Sequence, residues 1–173
     1  EQVYYVLSGR GEVLFGEERF PVQDGDAIYL PPGVHHQMFN DDNEAWLEHH
    51  VISQRVEGNG GTFAVRPWRQ ASPEGDGAGG IRWRQQCPEA EGGHLRAMAY
   101  IDREAVQPGG ASAWRQEEVE RIYYGLEGVG MVEVEGGDEH TYTEGDMVHV
   151  PVGVRFRVRN PTDAWIVSLV MAA

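Results

Sequence analysis

Histidine occurs in pairs at two places in the first third of the chain, His35-His36 and His49-His50. Neutral imidazole is a good ligand for a divalent transition metal, and its pKa near neutrality lets it exchange protons. Adjacent residues of a β-strand point to opposite faces, so only one histidine of each pair can face a common site. We expect His36 to face inward and His35 to face solvent.

The second pair leaves two arrangements open. Either Glu48 and His50 or Leu47 and His49 face inward, and the sequence does not distinguish them. Polar side chains inside a barrel are costly unless they bind or bond something, so one of the two histidines is expected to line a site. His50 is our candidate for ligand binding.

The elements that must position these side chains occur twice. Residues 1–11, EQVYYVLSGRG, return as ERIYYGLEGVG at 120–130, with six of eleven positions identical. Residues 25–40, GDAIYLPPGVHHQMFN, return at 145–160 as GDMVHVPVGVRFRVRN. The chain is therefore two copies of one unit.

Both copies consist of short apolar or alternating runs separated by Gly, Pro and Asp turns, a pattern typical of β-strands. No stretch has helical periodicity. We predict an all-β fold with an N-terminal barrel at 1–56, a linker at 57–80 and a C-terminal barrel at 81–173.

The spacing of Gly25, Pro31, Gly33, His36 and Asn40 resembles the second motif of the cupin superfamily. Residues 1–11 are similar to the end of the first cupin motif. The chain thus resembles a bicupin, which implies two small antiparallel β-barrels of the jelly-roll, or double-stranded β-helix, type in tandem.

In metal-binding cupins, two histidines and a glutamate from the first motif and a histidine from the second hold the ion. Here His36 matches the second-motif histidine and Gln2 stands at the glutamate position, with Glu1 beside it. The histidine pair would lie upstream of residue 1, and copy one has no counterpart of residues 94–113. We therefore expect an upstream segment that is absent from the numbered chain.

In copy two, every residue at the ligand positions of the resemblance differs from the metal-binding set. Trp114 and Gln116 stand at the histidine pair, Arg121 at the glutamate and Phe156 at the last histidine. The resemblance implies one divalent transition metal (Fe, Mn, Ni or Zn) in the N-terminal barrel and none in the C-terminal barrel.

Further candidates follow from strand alternation. Tyr4 shares a face with Gln2, and Met38 shares a face with His36, which gives an amphipathic lining suited to a small organic molecule. Arg121 either binds a carboxylate or phosphate or is neutralised by Glu118 or Glu120.

Charge and composition exclude several classes of function. The net charge is -14, and all fourteen basic residues are arginines scattered among carboxylates, so nucleic acid is not an expected partner. No apolar run is long enough to cross a membrane. A lone Cys87 fits a reducing cytoplasm. Exposed strand edges and outward aromatic residues favour a homodimer.

Two kinds of function remain open. The first is a metal-dependent cupin enzyme, a dioxygenase, isomerase or lyase, acting on a small molecule in the N-terminal barrel. The second is a metal-free or non-catalytic ligand-binding cupin, or a structural or storage protein.

Overall fold

The computed structural model describes residues 1–40 and 44–173. The described chain is built from antiparallel strands, with two short 3-10 turns at Trp68–Gln70 and Glu89–Glu91. The strands are β1 (Gln2–Ser8), β2 (Arg10–Phe15), β3 (Glu18–Gln23), β4 (Asp26–Leu30), β5 (His36–Phe39), β6 (Glu48–Ser53), β7 (Ala64–Pro67), β8 (Pro73–Gly75), β9 (Gly80–Gln86), β10 (Tyr100–Val106), β11 (Arg121–Glu127), β12 (Val129–Val134), β13 (Glu139–Thr143), β14 (Met147–Val150), β15 (Phe156–Arg159) and β16 (Ile166–Ala172). The all-β prediction is confirmed.

The chain divides into two compact units. The first consists of Glu1–Ala71 and Gln85–Met98, and the second of Ser72–Arg84 and Ala99–Ala173. These bounds differ from the predicted linker at 57–80, because that stretch contains β7, which pairs with β4, and β8, which pairs with β9. Gly58, Gly60 and Gly61 precede β7, Gly77 lies in the turn between β8 and β9, and Gly75 and Gly80 belong to those strands.

The first unit is built from two sheets, with strand orders β6-β1-β4-β7 and β3-β2-β5. Apolar residues alternate along these strands, so each sheet has one face that must be removed from water. The two faces share one buried cluster, formed by Val6, Val13, Val22, Ile28 and Leu30.

The second unit repeats this plan with additional strands. Its sheets have the orders β14-β11-β16-β10-β9-β8 and β13-β12-β15. The core includes Tyr123, Val132, Tyr142, Phe156 and Val170. The equivalents of β5 and β6 are β15 and β16; β5 and β6 are each at a sheet edge, whereas β16 lies between β11 and β10.

The turn before β5 fixes the position of His36. Gly33 has a φ of +84°, which an L side chain rarely adopts, and it follows Pro31 and Pro32, whose rings restrict φ. A Cβ at Gly33 would also overlap the Asn59 side chain. The turn therefore delivers His36 as the first residue of β5.

Within residues 1–40 and 44–173, no helix is both long enough and apolar enough to cross a bilayer.

Candidate functional site

A cavity of about 380 Å³ opens at one end of the first barrel. It lies where β1 and β5 begin and where β4 and β6 end. Its lining is formed by Glu1, Gln2, Leu30, Pro31, Pro32, Gly33, His36, Ser53, Gln54 and Arg55. The size is that of a pocket for a small ligand, and six of the ten lining residues are polar or charged.

The structure brings the two predicted metal-site residues together in this cavity. His36 Nε2 lies 2.8 Å from Gln2 Oε1, and His36 Nδ1 donates to the Val34 carbonyl at 3.0 Å. A charged imidazole donates through both nitrogens, while a neutral ring accepts at Nε2 from the NH₂ of a turned amide. The Gln2 amide and the Val34 carbonyl together hold the ring in one orientation.

The register of β6 resolves the choice that the sequence left open. Val6 lies in the barrel core and is paired with His49, while Tyr4 is paired with Val51. Residues paired across antiparallel strands point to the same face, so His49 faces inward. His50 is paired with Tyr5 on the opposite face. The structure therefore places our candidate His50 outside the barrel interior and His49 inside it.

Tyr4 links the two inward histidines. Its ring centroid lies 5.7 Å from that of His36, edge to face, and 5.1 Å from that of His49. Burial raises the pKa of Tyr4 and lowers the pKa of His49, so near neutral pH the pair is a phenol and a neutral imidazole. Neither residue belongs to the cavity lining; they lie deeper on the same inner wall.

Met38 lies on the inward face, where core packing and pocket lining explain such a residue equally well. It packs against the buried cluster of the first unit and is paired with Val13, a core residue. Because it does not line the cavity, its position indicates core packing.

Glu1, the carboxylate closest to the expected ligand position, is turned away from His36. Its oxygens accept hydrogen bonds from the backbone amides of Arg96, Ala97 and Met98 at 2.7 to 2.9 Å. Burial and the neighbouring Glu1 carboxylate raise the pKa of Tyr29 to about 12. The Glu1 carboxylate therefore holds the loop before β10 and is not available as a metal ligand.

His36 and Gln2 supply two of the donors that a divalent metal needs. His36 Nε2 and Gln2 Oε1 are close enough to serve as adjacent ligands of one ion. However, protein sites use three or four ligands, with anionic or imidazole donors preferred. Within the described residues, no group of three or more His, Cys, Asp or Glu side chains could hold a metal ion. These residues therefore do not make a complete metal site.

The same position in the second barrel has other chemistry. Arg121, the equivalent of Gln2, is 2% exposed and pairs with Glu117, and its Nε bonds the Tyr100 hydroxyl. The partner is thus Glu117, and not Glu118 or Glu120 as expected. Phe156, the equivalent of His36, is buried in the core.

Trp114 and Gln116 do not occupy the interior. The guanidinium carbon of Arg157 lies 4.7 Å from the centroid of the Trp114 ring. Gln116 donates a hydrogen bond to the Gly153 carbonyl. The residue between them, Arg115, pairs with Phe156 across a β-bridge and so faces inward. The resemblance aligned the motif correctly at Arg121 and Phe156 but was out of register by one residue here.

A buried ion pair, Arg115 with Glu104, lies inside the second barrel. The sequence did not predict it. Arg115 Nη1 bonds Glu104 Oε1 at 2.5 Å and lies 3.4 Å from the Tyr123 hydroxyl. Only about 10 Å³ remains free near Tyr142 and Ser168, whose hydroxyls bond each other at 2.8 Å. Alternation along β10 places Glu104 inward, but no sequence signal distinguishes it from a solvated glutamate.

Comparison with known proteins agrees with this geometry. A model of the cupin domain matches residues 1–52 and again residues 102–172, which together are most of the chain. The chain belongs to the cupin domain family. Because the match occurs twice, this cupin is a bicupin, as the internal repeat predicts.

Solved structures support the fold of this bicupin. A variant of oxalate decarboxylase from Bacillus subtilis aligns with a TM-score of 0.71 at 15% identity, covering 98% of this chain and 62% of that one. Protein Ylba from E. coli aligns with a TM-score of 0.66 at 15% identity, covering 99% of this chain and 67% of that one. Identities this low show a shared fold alone.

One curated relative of the bicupin matches by sequence. It is the uncharacterized protein MJ1618 of Methanocaldococcus jannaschii, 45% identical over 40 residues, which is 23% of this chain and 32% of that protein. The match thus spans about a third of the relative.

Proposed function

We propose that the first barrel of this bicupin is a small-molecule binding unit and that its ligand occupies the 380 Å³ cavity. The observation that carries the proposal is the His36–Gln2 pair at the cavity wall, two polar side chains held 2.8 Å apart. Polar groups that are held in place at a pocket wall give a ligand its orientation.

The lining favours a ligand that is polar and carries a negative charge. Arg55 supplies a cation at the cavity, while the Glu1 carboxylate is satisfied by three backbone amides. His36 adds a hydrogen-bond donor or acceptor according to its protonation state. A small organic acid would meet Arg55 through its carboxylate and the His36–Gln2 pair through a second polar group.

The second candidate is a metal-dependent enzyme, a dioxygenase, isomerase or lyase, with a mononuclear site at His36. The 2.8 Å spacing of His36 Nε2 and Gln2 Oε1 favours it, since two adjacent ligands about 2.1 Å from an octahedral ion lie about 3 Å apart. This candidate needs further donors beyond the described set. A bound metal would supply Lewis-acid chemistry, and His36 and Gln2 would be the residues that hold it.

Calorimetric titration with oxalate tests the first candidate, because the Bacillus subtilis relative is named for that compound. We expect saturable binding that falls at least tenfold in His36→Ala and is retained in His35→Ala. His35 is the matched control, since it is the exposed neighbour on the opposite face. Equal binding by both variants would contradict the proposed site.

Metal analysis of the same three preparations separates the two candidates. About one divalent ion per chain in the wild type and in His35→Ala, lost in His36→Ala, would favour the metal-dependent enzyme. Oxalate binding by metal-free protein would favour the ligand-binding cupin.

A further inference from the structure

We propose that the mouth of the second barrel is a receptor for a small carboxylate and that the protein's own Glu117 occupies it. The proposal concerns a different barrel from the proposed function and stands independently of it.

Arg121 is the centre of this receptor. Its Nη2 meets Glu117 Oε1 and its Nε bonds the Tyr100 hydroxyl, which in turn donates to Glu117 Oε2 at 2.8 Å. One carboxylate thus receives hydrogen bonds from a guanidinium and a phenol at once. This is the arrangement by which proteins recognise carboxylate ligands.

Arg121 is more deeply buried than Glu117, the carboxylate that it binds. Arg121 is 2% exposed, whereas the Glu117 side chain is 39% exposed. Arg121 Nη1 is buried and has no hydrogen-bond partner among residues 1–40 and 44–173. The guanidinium carbon lies 5.3 Å from the Phe156 ring centroid and 5.6 Å from that of Tyr100, so aromatic faces hold it in place. The cation is fixed, and its carboxylate can leave towards water.

Space for an external ligand adjoins the pair. Glu117 lines a cavity of about 180 Å³ together with Glu74, Asp76, Arg82 and Arg115. Glu74 is paired with Arg82, and Asp76 accepts from the backbone amides of Ala78, Gly80 and Ala113. Glu74 and Asp76 have partners other than Arg121, so Glu117 is the carboxylate that an external acid would replace at this guanidinium.

The position of Arg121 can be compared with its equivalent in the first copy of the repeat. Arg121 occupies the place of Gln2, which in the first barrel faces the open 380 Å³ cavity. In the second barrel, the chain that precedes β11 lies over the barrel mouth at Arg121. There Gly153 N donates a hydrogen bond to the Glu117 carbonyl at 2.9 Å. Glu117 thus reaches Arg121 from the segment that immediately precedes β11.

Removing Glu117 and offering formate tests the inference. In Glu117→Ala we expect saturable formate binding by calorimetry, at least tenfold tighter than in the wild type, and a formate-dependent rise in melting temperature. Sodium chloride at equal ionic strength controls for salt. Glu118→Ala, which removes an exposed neighbouring carboxylate, should behave like the wild type.

The double variant Glu117→Ala/Arg121→Met should lose formate binding, because methionine keeps the bulk of the arginine stem without its charge. Equal effects of formate and chloride on Glu117→Ala, or unchanged formate binding by the double variant, would overturn the proposal. Should Glu117→Ala be unfolded in chloride, formate is expected to restore cooperative unfolding, and a failure to do so would also overturn it.

Discussion

The two barrels place different side chains at equivalent positions. At the start of β1 and β5 the first has Gln2 beside His36, half-buried at an open cavity; at the start of β11 and β15 the second has Arg121 beside Phe156, both buried. The second unit repeats the strand plan of the first with additional strands. At its mouth, the chain that precedes β11 also lies over Arg121.

In the second barrel the chain from Ala111 to Glu117 lies along β15, with backbone hydrogen bonds between Arg115 and Phe156 in both directions. Arg115 then enters the interior and meets Glu104. In the described first barrel, β5 pairs with β2 and lies at a sheet edge. The crossing chain accompanies a packed interior in the second barrel, whereas the described first barrel has a cavity at the equivalent position.

The largest expected contrast is in stability at the equivalent pair Phe156 and His36. Phe156→Ala should lower the free energy of unfolding by about 3–5 kcal/mol, the usual loss for a core phenylalanine. His36→Ala should cost about 1 kcal/mol, because the ring is partly exposed and makes two hydrogen bonds. Urea unfolding of both variants measures the difference. Equal losses would show that the first barrel is packed at His36 in the same way as the second at Phe156.

A smaller contrast is expected between the two faces of β6. His49→Ala should weaken ligand binding in the first barrel by about tenfold, because His49 lies against Tyr4 on the inner wall. His50→Ala, on the opposite face, should leave affinity within about twofold of the wild type. Titration with oxalate provides the measurement. If His50→Ala gave the greater loss, the face assignment taken from the β1–β6 register would be wrong.

The sequence predicts the parts of this molecule that local patterning determines. The repeat gives two barrels, alternation gives the inward positions of Tyr4 and His36, and the Pro31-Pro32-Gly33 turn marks the start of β5. Alternation alone did not show which of His49 and His50 faces inward. It shows that adjacent residues face opposite sides of the sheet, but not which side is the interior. The pairing of His49 with the core residue Val6 identifies the interior side.

Contacts distant in sequence were out of reach for a different reason. The carboxylate of Glu1 bonds amides about 95 residues away, and Arg84 binds Asp102 across two strands. Nothing in composition or spacing distinguishes these charges from solvated ones. The homodimer and the cytoplasmic location stay predictions.

The smallest expected effect is a difference in pH dependence between the units. In the second unit, burial raises the pKa of Asp102 to about 6, above its value in an unfolded chain, despite the Arg84 pair. The folded form therefore binds more protons than the unfolded one between about pH 4 and 6, so this group adds stability as pH falls. Between pH 7.5 and 5.5 the gain is about 1 kcal/mol.

The first unit should respond in the opposite direction. Burial lowers the pKa values of His49, His50 and His94, so the folded form binds fewer protons and stability is lost as pH falls through the normal histidine range. Amide hydrogen exchange at pH 7.5 and 5.5, corrected for intrinsic rates, should show weaker protection in β1 and β6 at the lower pH and stronger protection in β10 and β16. Asp102→Asn should remove the gain in the second unit without altering the loss in the first. Changes in the same direction in both units would contradict the predicted opposite pH dependence of the two barrels.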